Sequence, residues 1–209
     1  MTNESLTCYP IHERAYTDRI KFVLVFSHDR GVESIAVSNK SRINFFCPYQ
    51  AIEKGRRLAL QSPTEHPALL QGKILFCGMY LNELIYRFCK PSDPHPEIFN
   101  QYKISLQQLR THNNLELTLR VFELCLLKAC GYGIDTFHIQ APYVVFEKDQ
   151  GFLGTHKPSD QSVPLSILNQ MIHELKPSPE VKRFLRHVLN TLLPSILQSR
   201  KLYEKITLA

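Results

Sequence analysis

Apolar and polar positions change their rhythm along the chain. From the first residue to about Gln71 the pattern is that of short strands. Ile20 to Phe26, IKFVLVF, is rich in β-branched and aromatic residues, as strands are. Ser27-His28-Asp29-Arg30-Gly31 has turn composition, with Gly31 free to take a positive φ. Val32, Ser34, Ala36 and Ser38 then alternate with Glu33, Ile35 and Val37, so the two runs predict a hairpin. Phe45 to Glu53, broken by Pro48, and Leu58-Ala59-Leu60 after the Lys54-Gly55-Arg56-Arg57 turn add further strands. Several short strands with turns between them suggest a small barrel. Ser62 to Pro67, SPTEHP, reads as a boundary.

Beyond it the period becomes helical. Leu70, Ile74, Leu75, Met79, Leu81, Leu84, Ile85 and Phe88 are spaced for one buried face, and Pro91, Pro94 and Pro96 end that helix. A second helix runs from Pro96 to Arg110. The stretch Leu119 to Gly133, LRVFELCLLKACGYG, is apolar almost all round; its only charges, Arg120, Glu123 and Lys128, share one arc. Such a helix is normally buried among others, and Gly131 and Gly133 supply its stop. Pro142 to Phe146 and Gly151 to Gly154 predict a small hairpin, and Pro164 to Leu175 a helix. Ser178 and Pro179 suit the cap and first turn of a helix reaching about Leu192. After Pro194 a last short helix is predicted over Ser195 to Ile206.

Composition adds bounds. The 209 residues allow one large domain or two small ones, and 44% hydrophobic residues exclude a mostly disordered chain. No apolar run is long enough to span a membrane. The N-terminus has no basic segment followed by an apolar run, so no secretory signal is expected. Six cysteines form no C-x-x-C pair, which predicts free thiols in a reducing cytoplasm. The net charge of +6 favours a polyanionic partner.

Nucleotide-binding, zincin and serine-hydrolase motifs are missing, as is zinc-ligand spacing, which weakens an enzymatic reading. The clearest electrostatic signal is on the C-terminal helix, where Lys182, Arg183, Arg186 and His187 fall within roughly 140° of arc, opposite Val181, Phe184, Leu185, Val188, Leu189 and Leu192. Such a face suits phosphates or an acidic peptide, or is simply solvated. Arg14, Arg19, Lys40, Arg42, Arg56 and Arg57 lie in the strand region, with Phe45, Phe46 and Tyr49 nearby. Basic loops with aromatic platforms hold single strands, although one of the adjacent Phe45 and Phe46 must point to the core. Arg120 is a charge on a dry helix and must reach water, a carboxylate or a ligand. Glu123 on its own helix, and Arg87 with Glu83, are ready pair partners.

Gly72 to Phe88, GKILFCGMYLNELIYRF, resembles the RecO family of DNA-repair and recombination-mediator proteins through its G-x-Y-x-N-E-L core. Leu119 to Gly133, with R-x-F-E-L-x-L-L-x-x-x-G-Y-G, is similar to that family's central helix. VKRFLR at Val181 to Arg186, followed by Leu202-Tyr203, looks like its C-terminal helices. Arg14 to Asp18 and the hairpin after it loosely match its first barrel strands. The resemblance implies an α+β multidomain chain: an OB-fold β-barrel over residues 1–66, then an α-helical domain over 67–209 carrying a zinc-finger-like β insert at about 137–157. It further implies a cytoplasmic, nucleoid-associated bacterial protein of the RecFOR pathway, without enzymatic activity or cofactor. That protein would bind single- and double-stranded DNA, anneal strands, and with RecR help load RecA onto DNA covered by single-strand-binding protein (SSB). DNA contacts would fall to Arg14, Arg19, Lys40, Arg42, Arg56 and Arg57. The acidic, phenylalanine-ended SSB tail would meet Arg120, Lys182, Arg183 and Arg186.

The chain departs from the family pattern in three places. Phe137 to Gly154 lacks cysteines, so no metal is expected. The basic stretch after the second barrel strand is thinned to Ser38-Asn39-Lys40-Ser41-Arg42. The chain is short between Gln50 and Pro67, which implies one trimmed barrel hairpin. An adaptor that links SSB to repair partners with little DNA binding is the competing expectation, and a hidden nuclease the third.

Overall fold

The computed structural model describes residues 5–54, 57–65, 70–111 and 114–207. Arg56, and the boundary read between residues 66 and 67, lie outside the described residues, as does the side chain of Arg57. Five strands come first: β1 (Ser5–Ala15), β2 (Ile20–Ser27), β3 (Gly31–Ser38), β4 (Tyr49–Lys54) and β5 (Arg57–Pro63). They form one antiparallel sheet in the order β3-β2-β1-β4-β5. The sheet curls until β5 touches β3 without a hydrogen-bonded ladder between them, giving a half-barrel of the OB type. Cys8, Val23, Val25, Ile35, Cys47, Tyr49 and Ala51 fill its inside.

Alternation dictates the rest of the sheet's role. Val23, Val25 and Ile35 point inward, so Phe22, Leu24, Ser34 and Ala36 occupy the outer face. A register shift at Pro10/His12 re-aims the end of β1, placing His12 opposite Leu24 and Arg14 opposite Phe22.

The helical part comprises α1 (Gly72–Phe88), α2 (Pro96–Arg110), α3 (Leu115–Ala129), α4 (Leu165–Glu174), α5 (Pro179–Leu192) and α6 (Gln198–Thr207). Ser178 Oγ accepts from Val181 N at 3.2 Å and Pro179 opens α5, as the sequence predicts. α3 starts four residues before Leu119, capped by Asn114, whose Oδ1 accepts from Leu117 N. The insert is a small sheet of β6 (Tyr143–Glu147), β7 (Gly151–Thr155) and the two-residue β8 (Val163–Pro164), in the order β7-β6-β8. Among the described residues no cluster of three or more His, Cys, Asp or Glu could hold a metal ion, and no helix is long and apolar enough to cross a membrane.

One continuous core joins barrel and helices: Tyr9, Ile11, Phe26 and Val32 pack with Phe99, Tyr102 and the apolar face of α1. The β2–β3 turn is pinned to the α1–α2 connection, since Ser92 N donates to Val32 O at 3.0 Å and Gly31 (φ +65°) lies directly against the Asp93 backbone. That seam fixes how the barrel's outer face meets the end of α1.

Candidate nucleic-acid interface and peptide pocket

Cations gather at one end of the barrel. Arg19 lies in the β1–β2 turn, and Asn39, just past β3, reaches that turn twice: its N donates to Arg19 O at 3.0 Å and its Nδ2 to Thr17 O at 2.7 Å. Arg19 therefore shares an end of the sheet with the loop that carries Lys40 and Arg42, all three exposed. Among the described residues none of the three is in an ion pair. Arg14 sits nearby on the outer face with its guanidinium carbon 5.5 Å from the Phe22 ring centroid. Four of the six expected DNA-contact cations are thus on this side of the barrel. Arg57 is the first residue of β5.

The aromatics that the sequence pairs with these cations turn inward instead. Phe46 and Tyr49 are buried and Phe45 is half-buried. The chain before β4 is a turn with Phe46 at φ +65°, so strand alternation does not apply there. Phe46 packs against Gly78 of α1, and its carbonyl accepts from Arg110 NH2 at 2.6 Å. The exposed Tyr16 and Tyr86 and the half-buried Phe22 instead line an open groove of about 800 Å³ between the outer sheet face and the α1–α2 connection. The IKFVLVF run contains part of this signal, because Val23 and Val25 inside force Phe22 outside.

A second concavity, about 360 Å³, lies between α1, α3, α5 and α6. Arg120, Lys182 and Arg186 all line it, with Phe76, Leu115 and Leu119 as apolar wall; Arg183 is exposed on α5 and does not line it. Arg120 is buried and finds carboxylates: NH2 donates to Glu123 Oε1 at 2.8 Å, and Nε lies 3.5 Å from Glu116 Oε1. Glu123 Oε1 also accepts from the Tyr80 hydroxyl at 2.5 Å, and Arg200 NH2 donates to that hydroxyl at 2.7 Å. Burial pushes the Glu123 carboxyl above its usual range while Arg120 and Tyr80 pull it down. Lys182 pairs with Glu116 at 3.1 Å and Arg186 with Glu204 at 2.8 Å. The pocket is therefore cationic at its rim, with counter-charges from the chain's own carboxylates.

Helical spacing pairs Glu83 with Arg87, and the two are 3.9 Å apart. The main contacts of Glu83 are elsewhere. Its carboxylate accepts from Gln198 N and Ser199 N, both at 2.8 Å, and from Ser199 Oγ at 2.7 Å, capping α6 from another helix. Every polar side chain in the Gly78-Met79-Tyr80-Leu81-Asn82-Glu83-Leu84 run is engaged in this way. Tyr80 and Glu83 hold α6, and Asn82 Oδ1 accepts from the Tyr102 hydroxyl at 2.6 Å.

A family model described as "Recombination protein O C terminal" matches residues 70–139, the span of α1 to α3. A protein of Aliivibrio fischeri named "DNA repair protein RecO" is 32% identical over 173 residues, 72% of this chain and 73% of its own length. The chain belongs to the RecO family. Proteins of the same name from Pseudoalteromonas atlantica and Vibrio cholerae are 35% and 26% identical over 66% and 96% of this chain. The match spans 62% of the Pseudoalteromonas protein, under two thirds of its length, and 94% of the Vibrio one. Within the RecO matched region fall both helices that contribute Tyr80, Arg120 and Glu123, so the buried network belongs to the part of the fold that the family model covers.

Proposed function

We propose that this RecO-family chain acts in bacterial DNA repair and recombination as a non-enzymatic mediator in the cytoplasm. Cations at the barrel end bind the phosphates of single- and double-stranded DNA and reduce the repulsion between two strands that must anneal. The pocket between α1, α3, α5 and α6 takes the acidic tail of SSB, bringing the mediator to covered DNA. RecR then couples the assembly to RecA loading. The observation that carries this reading is the pairing, on one RecO fold, of an exposed cationic end (Arg19, Lys40, Arg42), without ion pairs among the described residues, with a separate apolar pocket rimmed by Lys182 and Arg186. Neutralised phosphates release counterions, which makes such binding strongly salt-dependent.

The test is annealing of complementary oligonucleotides covered with SSB, at physiological salt, with intact SSB and with SSB lacking its acidic tail. Annealing that requires both this protein and the tail supports both surfaces. Annealing regardless of the tail removes the pocket's role and keeps the DNA role. A protein-only adaptor is the second reading, favoured by the ion pairs that already engage Lys21, Arg30, Lys182 and Arg186. It predicts no annealing in either arm.

A further inference from the structure

Exposed aromatic rings collect on the barrel's outer face where it meets α1. Tyr16 is 66% exposed and Tyr86 43%, and Ile20 beside them is 40% exposed. Each lines the groove of about 800 Å³ described above, together with Phe22, His12 and Arg14. The Tyr16 and Phe22 rings lie 4.9 Å apart at 59°. His12 and Tyr86 are stacked at 4.9 Å and 25°, so one platform bridges barrel and helix. Arg14 covers part of Phe22, and Arg87 lies 5.8 Å from the Tyr86 centroid.

Two of these side chains are spaced by the strand itself. His12 and Arg14 share the outer face of β1, and Tyr16 lies just past the strand's last residue, Ala15. Same-face positions on a strand are about 6.8 Å apart, twice the roughly 3.4 Å step between stacked bases. The step from His12 to Arg14 therefore has the width of one inserted base, and the open faces of Tyr16 and Tyr86 can each carry a further one. A planar guanidinium such as that of Arg14 stacks as readily as a ring. Ser34 and Ala36 keep the adjoining floor low, and the phosphates of a strand lying in the groove would run toward the exposed Arg19, Lys40 and Arg42.

We propose that this composite groove is a stacking site for unpaired nucleotide bases, with Tyr16, Phe22 and Arg14 as the barrel half and the His12–Tyr86 stack as the helical half. A duplex keeps its base faces covered and cannot use it, so the groove confers a preference for single strands that phosphate contacts alone do not. The inference rests on the DNA-binding reading and adds to it a ligand chemistry, the base face, and the residues that meet it.

The experiment compares three probes of equal length at fixed salt: an oligo-dT strand, an abasic sugar-phosphate strand and a duplex. Each is titrated against the intact protein and a Tyr16→Leu/Tyr86→Leu variant, which keeps apolar bulk at exposed positions outside the core. Stacking is worth enough per base for oligo-dT to bind about tenfold tighter or more than the abasic strand. The variant should lose most of that difference with abasic and duplex affinities unchanged. The chain has no tryptophan, so tyrosine emission reports contact directly and should be quenched by oligo-dT but not by the abasic strand. Equal binding of oligo-dT and abasic strands overturns the groove and leaves phosphate binding standing. Equal weakening of both strands in the variant also overturns it, since that is a structural effect. Binding of no probe overturns the groove and the DNA-binding reading together.

Discussion

Glu123 holds a carboxylate on a helix face that water does not reach, and three neighbours make this tolerable: Arg120, the Tyr80 hydroxyl and, through that hydroxyl, Arg200. Removing one member of a buried ion pair strands the other. Glu123→Ala should therefore cost about 3–5 kcal/mol, seen as a lower urea midpoint at unchanged slope. Glu123→Gln keeps an acceptor for Tyr80 and should cost less, about 1–3 kcal/mol. Replacing both partners, Arg120→Met with Glu123→Leu, should restore most of the loss, because desolvation of the pair offsets much of its attraction. A double variant as unstable as Glu123→Ala would show that the network contributes more than charge pairing. Only half of this arrangement is legible in the sequence. Arg120 and Glu123 are three positions apart on one helix, so their pairing follows from helical geometry. Tyr80 lies 43 residues from Glu123, and nothing in the local pattern links them.

At the scale of elements, two junctions decide how the pieces are held. Gly31 has φ +65°, and a Cβ there would stand 2.1 Å from the Asp93 carbonyl oxygen, a backbone atom that cannot swing aside. Gly31→Ala should cost about 2–4 kcal/mol, combining the left-handed backbone penalty with overpacking. It should also loosen the barrel's seam with α1, which chemical denaturation and amide exchange near Val32 and Ser92 would detect. The second junction is the cap on α6. Losing a helix cap typically costs about 0.5–2 kcal/mol, and Glu83→Ala removes one that comes from α1. Amides of Gln198 and Ser199 should then exchange faster while α1 to α3 stay protected; unchanged exchange at those amides would assign α6 its hold to Arg200 on the Tyr80 hydroxyl and to the Tyr203 ring, 5.6 Å from that of Phe76. The elements with clean periodicity, β2, β3, β6, β7 and α1 to α5, follow the sequence pattern. β1 is the sheet's centre, yet it is legible only as part of a β-rich region, because Pro10 and the shifted register at His12 break its alternation. β8 is too short to carry a pattern, and the inward turn of Phe46 depends on a backbone conformation that residue type does not announce.

Over the whole molecule, the net charge of +6 is less informative than which cations are already paired. Lys21, Lys182 and Arg186 have carboxylate partners within 3.1 Å, so they add little to the attraction of a polyanion. Arg19, Lys40 and Arg42 are exposed at one barrel end without ion pairs among the described residues. The two sets should separate in a salt titration. For single strands each phosphate contact contributes about 0.7 to the slope of log K against log salt. Arg19→Gln/Lys40→Gln/Arg42→Gln should therefore flatten that slope by up to about 2 and weaken binding to all sequences alike. Lys182→Gln/Arg186→Gln should leave the slope unchanged while reducing capture of an acidic peptide with an aromatic end. Equal flattening by both sets would mean that DNA runs across the helical pocket as well as the barrel, and the division of labour between the two surfaces would fall. Slopes that neither set alters, in a protein that still binds DNA, would move the phosphate path to cations outside both groups.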